Sequence, residues 1–197
     1  MTSETAPLPA IADNAALVLI DIQNGFDDAA WGRPGPDAAA AQERMRELAH
    51  KWGESGRPLV VVRHDSTSSA SPLRPGQPGN DVVAWVAELK ADVLVTKSVN
   101  SAFIGEPDLD GWLRGRGISQ IVVIGIQTNM CVETTSRMGG NLGYDVIVPI
   151  DATSTFDLAG PDGAVMSAED LARATATNLH GGGFATVTSA RAILASA

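Results

Sequence analysis

Six short runs rich in Val, Ile and Leu recur along the chain, and most are continuous rather than broken by a polar residue at every second position. A strand with one wet face alternates; a strand without alternation is one that helices cover on both sides. The runs fall at 15–21, 58–63, 93–97, 118–126, 145–150 and 185–189, and segments of helical character lie between them at 37–55, 81–88, 109–116, 131–143 and 167–180. Alternating strand and helix predicts parallel pairing through crossovers, hence a doubly wound α/β sheet in three layers, α/β/α. Asp37 is the expected N-cap of the first long helix, with Gly53 and Gly56 at its end. Ligands of such sheets sit beyond the carboxyl ends of the strands. The stretch 64–80, rich in Ser, Pro and Gly, is too long for a plain connector and reads as a lid.

Composition narrows the class. A chain of 197 residues with 44% hydrophobic and 19% charged residues reads as a single soluble domain, 1–197, with a full core. Its lone cysteine excludes an internal disulfide framework and any multi-cysteine zinc or iron–sulfur centre. The first ten residues lack the basic and apolar parts of a leader, and no apolar run approaches the roughly 20 residues that span a bilayer. A cytoplasmic setting is expected. The net charge of −9 argues against nucleic acid or an anionic membrane as partner, and favours neutral or cationic small molecules.

Chemistry is sought where strands end. The first run delivers Asp21, the third delivers Lys97, and the fourth leads through Gly125-Ile126-Gln127-Thr128-Asn129-Met130 to Cys131. The thiol thus stands at a strand-to-helix elbow, where free N–H groups and the helix dipole favour a thiolate. Singly, Asp21 reads as a turn cap, Lys97 as a solvated strand end and Cys131 as a small buried hydrophobe. A carboxylate, an ammonium and a thiol at one edge of one sheet point instead to a reactive site.

These residues carry a resemblance. Asp21 in Leu-Ile-Asp-Ile-Gln-Asn-Gly-Phe, Lys97 in Lys-Ser-Val-Asn-Ser-Ala-Phe, Cys131 in Gly-Ile-Gln-Thr-Asn-Met-Cys-Val, and the later Gly143-Tyr144-Asp145-Val146 and Asp151-Ala152-Thr153 resemble the isochorismatase-like cysteine hydrolases. The resemblance implies a six-stranded parallel sheet, an Asp21–Lys97–Cys131 triad, a cis bond between Ile126 and Gln127, and a homodimer or homotetramer. It also implies an oxyanion hole from the backbone N–H groups of Gln127 and Cys131. The expected reaction is hydrolysis of a C–N bond in a small amide, carbamoyl or lactam substrate through a Cys131 thioester. Cleavage of an isochorismate-type vinyl ether, which needs an acid but no nucleophile, and a redox-sensing thiol on the same scaffold are the alternatives.

Nicotinamidases of this family hold a metal with an Asp and several His. Here His64 and Asp65 stand without a second or third nearby histidine, since His50 and His180 are far along the chain. No metal and no cofactor are expected, and His64 becomes a pocket residue that contacts substrate. Phe26, Trp31 and Phe103 are read as pocket walls, and Gln23 and Asn100 as polar substrate contacts or turn caps. Gly139 and Gly140 are expected to permit close packing after Cys131.

Overall fold

The computed structural model describes residues 10–196, so the reading of the first ten residues concerns positions that lie, apart from Ala10, outside the described part. Among the described residues nine strands and six α-helices follow in order: β1 (Ala16–Ile20), α1 (Ala38–Ser55), β2 (Leu59–His64), α2 (Ala84–Ala87), β3 (Val93–Lys97), α3 (Leu109–Arg114), β4 (Gln120–Ile126), α4 (Glu133–Asn141), β5 (Asp145–Pro149), β6 (Thr153–Ser154), β7 (Leu158–Ala159), β8 (Val165–Met166), α5 (Ala168–Gly181), β9 (Thr186–Thr188) and α6 (Ala190–Ser196). The main sheet runs β3-β2-β1-β4-β5-β9, all parallel, and the two-residue β6 pairs alongside the end of β4 as a seventh strand. The six expected runs are its six principal strands. Not anticipated were β6, the antiparallel β7–β8 hairpin and α6.

Burial explains the unbroken apolar runs. Every residue of β1 is fully buried; Leu17 and Leu19 pack toward α1, while Ala16, Val18 and Ile20 pack into the opposite layer with Leu109, Val132 and Leu179. Side chains of a strand alternate between faces, and here both faces are core. α1 buries Ala41, Met45, Leu48, Ala49 and Trp52, a stripe at helical spacing, and the indole N–H of Trp52 donates to the Ala15 carbonyl at 2.9 Å.

Local expectations met tertiary reality unevenly. Gly56 ends α1 in the left-handed conformation at φ 68°, but the Asp37 carboxylate makes no capping bond at the other end. The helix expected over 81–88 shrinks to the single turn of α2. The segment after β4 begins with one π-turn, Thr128–Val132, and becomes regular helix only at Glu133. Gly139 and Gly140 do permit close approach: a Cβ at Gly140 would stand 2.5 Å from the Phe184 carbonyl oxygen.

Strand order places the site. Crossovers run one way from β1 through β2 to β3 and the other way from β4 to β5 and β9, so the topology reverses between β1 and β4. A crevice opens at the carboxyl ends of strands flanking such a reversal. The register sets the ends level: Ile20 lies beside Val62 and Gly125, and His64 beside Lys97.

Candidate active site

Asp21 leaves β1 with φ 50°, the left-handed region, and it is the one described non-glycine residue with positive φ. That conformation costs an ordinary residue about 1–2 kcal/mol, less for Asp, and it turns the carboxylate into the crevice. The bend is anchored: the Asp21 N–H still donates to the Val62 carbonyl at 3.0 Å, and Gln23 N–H closes back on the Asp21 carbonyl at 2.9 Å. Lys97, the last residue of β3, brings its ammonium to the same point from the sheet edge. The Lys97 Nζ donates to Asp21 Oδ2 at 2.6 Å, approaches His64 Nδ1 at 3.2 Å and donates to Cys131 Sγ at 3.3 Å. An ammonium has three N–H bonds, and all three have acceptors here. Neither the Asp21 nor the Lys97 side chain is exposed at all.

Cys131 rises from the π-turn, 8% exposed, with its thiol directed at Asn100 Oδ1 at 3.8 Å. The other Asp21 oxygen, Oδ1, is buried and without a hydrogen-bond partner among the described residues. Donor atoms of Asp21, His64 and Cys131 lie within 4.8 Å of one another. These three would suit a transition metal by type, but Lys97 Nζ already stands among them. An incoming divalent cation would meet that ammonium at contact distance, so the donor set does not fit a metal while Lys97 is in place.

The electrostatics overturn one sequence expectation. The Cys131 thiol is pushed up to about 12, by burial first and by the Asp21 charge second, with Lys97 opposing. The elbow therefore holds a protonated thiol, not a thiolate; desolvation outweighs the helix terminus. Burial also raises the Asp21 carboxyl above its usual range, against the pull of Lys97. Near neutral pH the pair stays ionic, because a protonated Asp21 would leave the buried ammonium without a counter-charge. His64 is lowered to about 4 by burial and by Lys97, so its imidazole is neutral, with Nδ1 accepting from the ammonium.

A cavity of about 360 Å³ opens onto the thiol. Phe26, Trp31, His64, Asn100 and Gln127 line it as expected, together with Leu73, Met130, Phe156, Asp157 and Leu158. Two expected contacts are not there. Gln23 is a structural clamp: its Nε2 donates to the carbonyls of His64 and Asn80 at 3.1 and 2.8 Å, and its Oε1 accepts from the His64 N–H at 2.9 Å. Every polar atom of that amide tip is engaged, which leaves little for a substrate. Phe103 lies in the core layer on the other side of the sheet end, its ring 5.6 Å from that of Tyr144. The 3-10 turn that carries it, Ala102–Ile104, points it inward. Phe156 was missed, although it follows Asp151-Ala152-Thr153 closely and the short β6 delivers it to the same edge. The 64–80 stretch is held rather than free: Asn80 Nδ2 reaches the carbonyls of His64 and Leu73 and Asp65 Oδ1, at 3.0, 2.9 and 3.0 Å.

The peptide between Ile126 and Gln127 is cis. The Gln127 N–H donates to no acceptor among the described residues, while its carbonyl accepts from the Met130 and Val132 N–H groups. Another cavity, of about 440 Å³, lies between α1 and α5 behind the π-turn; its Arg44 is bound to Asp151 and no thiol lines it.

Comparison with known proteins agrees with this geometry. Residues 15–189 match the isochorismatase domain. The chain is 32% identical over 168 residues to the isochorismatase family protein YrdC of Bacillus subtilis, covering 85% of this chain and 88% of that one. It is 33% identical over 154 residues to the ureidoacrylate amidohydrolase RutB of Stutzerimonas stutzeri, covering 78% of this chain and 56% of the relative. The crystal structure of an isochorismatase-family protein from Chromobacterium violaceum superposes with a TM-score of 0.89 at 36% identity, over 98% of this chain and 97% of that one. Fold, strand-end chemistry and sequence agree, and the chain belongs to the isochorismatase family of hydrolases.

Proposed function

We propose that this protein is a cysteine amidohydrolase, cleaving a C–N bond of a small amide, carbamoyl or lactam substrate through a thioester on Cys131. The observation that carries the reading is the Asp21 carboxylate, whose Oδ1 is buried and unpartnered, within 4.8 Å of a thiol that is protonated at rest. A thiol with so high a pKa needs its base beside it, acting as the attack occurs. Asp21 Oδ1 takes the Sγ proton while Sγ bonds to the substrate carbonyl carbon. The resulting oxyanion is received by the N–H groups of Gln127 and Cys131. Asp21 then gives the proton to the departing nitrogen as the C–N bond breaks. In the second half, water attacks the thioester with Asp21 again accepting a proton, and Sγ leaves to regain it. The Lys97 ammonium favours the ionised form of Asp21 before the first half-reaction and again between the two halves, when Asp21 must accept a proton.

The relative from Stutzerimonas stutzeri, named for amide-bond hydrolysis, supports the same reaction class. A redox sensor fits less well, since sensing thiols are exposed and acidic whereas this one is buried and pushed up to about 12. Vinyl ether cleavage would leave the thiol–carboxylate pairing without a use. The test is ammonia release across a panel of amides, ureas and lactams, with mass spectrometry of the stopped enzyme. We expect an acyl adduct on Cys131 and loss of at least about a thousandfold in kcat for Cys131→Ala, with the fold retained. Normal turnover by Cys131→Ala would overturn the assignment. No helix among the described residues is long and apolar enough to cross a membrane. A homodimer or homotetramer in the cytoplasm is part of the proposal; exposed Ile104, Val165 and Met166 support association, and light scattering tests it.

A further inference from the structure

The elbow that carries Cys131 is built on a turn with a reduced backbone ladder. A π-turn is wider than a regular helical turn, and here the Gln127 carbonyl takes both the Met130 and the Val132 N–H. Behind the turn lies the cavity of about 440 Å³, lined by Thr128, Thr153, Ser154 and Thr155 on one side and by alanines of α1 and α5 on the other. Close packing, which positions most buried turns, is therefore incomplete on that side. Two side-chain bonds stand in its place. Thr128 is fully buried, and its hydroxyl donates to Thr153 Oγ1 at 2.9 Å. The Thr153 hydroxyl spends its own proton on the Ile150 carbonyl at 2.8 Å, so toward Thr128 it can only accept. The buried Thr155 hydroxyl donates to Asn129 Oδ1. Both bonds continue the pairing of β6 with β4, in which Thr153 lies beside Gly125 and Ser154 beside Ile126. Gln127 is thus bracketed: strand pairing holds the two residues before it, and side-chain bonds hold the two after it.

We propose that Thr128, Thr153 and Thr155 are positioning residues, latching the elbow to β6 so that the Gln127 N–H meets the oxyanion. This deepens the amidohydrolase reading and rests on it. An oxyanion donor is effective only within about 3 Å of the place where charge develops, and a misplacement of about 1 Å costs roughly a hundredfold in rate. The Gln127 N–H has no acceptor of its own among the described residues, so nothing but the residues on either side of it fixes its direction. The three threonine hydroxyls bond to Thr153, Ile150 and Asn129, and none of these bonds goes to Asp21, Lys97 or the Cys131 thiol. The latch therefore serves the carbonyl oxygen of the substrate and leaves the protonation of the thiol alone. Both half-reactions form an oxyanion, so both depend on it.

The test is Thr128→Val in the full chain. The change keeps the shape, removes one donor and strands no proton, because Thr153 retains its bond to Ile150. Turnover is followed on the fastest substrate of the panel, which includes acetamide, benzamide, methylurea and 2-pyrrolidinone. Thr128→Val is expected to lower kcat by about 10- to 100-fold with KM moved by less than about threefold. Alkylation of Cys131 by iodoacetamide forms no oxyanion and is expected to stay within about twofold. Thr128→Ser, which restores the hydroxyl, should recover most of kcat, and Thr155→Val should reproduce the loss. If Thr128→Val does not fold, Thr155→Val carries the test, since it deprives only the half-buried Asn129 of its partner. A kcat within about threefold of the unmodified protein in the folded variants overturns the proposal. So does an equal loss of kcat and alkylation rate, which marks general disruption of the site. Either result leaves the amidohydrolase reading standing. Failure of every member of the panel to acylate Cys131 in the unmodified protein refutes that reading itself, and this inference with it.

Discussion

Replacing Asp21 by Asn separates thiol reactivity from turnover. The Asp21 carboxylate raises the Cys131 thiol, second only to burial, and the nearest atoms of the two groups lie no more than 4.8 Å apart. At an effective dielectric constant of about 20, unit charges 4.8 Å apart interact by about 3.5 kcal/mol. Removing the negative charge should therefore raise the thiolate fraction near neutral pH by a factor of roughly 300, with Lys97 left to pair the thiolate instead. A less basic thiolate is also a weaker nucleophile, which takes back about tenfold, so alkylation by iodoacetamide should be faster by roughly 30-fold in the variant. Amide turnover should fall at least about a thousandfold, since the proton acceptor and donor is gone. The assay is the alkylation rate against pH, followed by intact mass, beside ammonia release by the same preparations. Alkylation that is unchanged or slower in Asp21→Asn would refute the reasoning, because it would mean that Asp21 carries no charge beside the thiol at rest.

His64 titrates at about 4 in the fold against 6.5 as its ordinary value, so the unfolded chain binds a proton over that window and the native state does not. Stability should then rise with pH from about 4 to 6.5, and urea midpoints for His64→Gln should show a flatter dependence than the unmodified protein. Gly125 has φ 128°, and a Cβ there would collide with the Ile20 carbonyl; Gly125→Ala should cost about 3 kcal/mol or more in urea unfolding. Gln23→Leu strips His64 N–H and the Asn80 carbonyl of their partners and should cost about 2–3 kcal/mol, with kcat lowered more than KM is raised if the clamp serves to position His64 and Lys97. Prolonged treatment with a chelator should leave turnover unchanged, because Lys97 occupies the centre of the only such donor cluster among the described residues.

Much of this arrangement was legible in the chain itself. Unbroken apolar runs dictated strands covered on both faces, and their alternation with helices dictated parallel pairing; both follow from local periodicity, which needs no knowledge of distant residues. The residues that end the first and third runs, and the elbow after the fourth, were identifiable as Asp21, Lys97 and Cys131 for the same reason. Other features depended on what tertiary structure brings together. Lys97 and Asp21 meet across 76 positions, and only their burial beside Cys131 decides that the thiol keeps its proton, because desolvation has no signature in a local motif. Gln23 looked free to bind substrate until the loop returning at Asn80 engaged its amide, and Phe103 looked like a wall until its turn rotated it into the core. Phe156 and the β7–β8 hairpin came to the pocket through a two-residue strand too short to leave a periodic pattern. Periodicity is a property of neighbours in sequence, whereas charge state, pocket membership and pairing are set by neighbours in space.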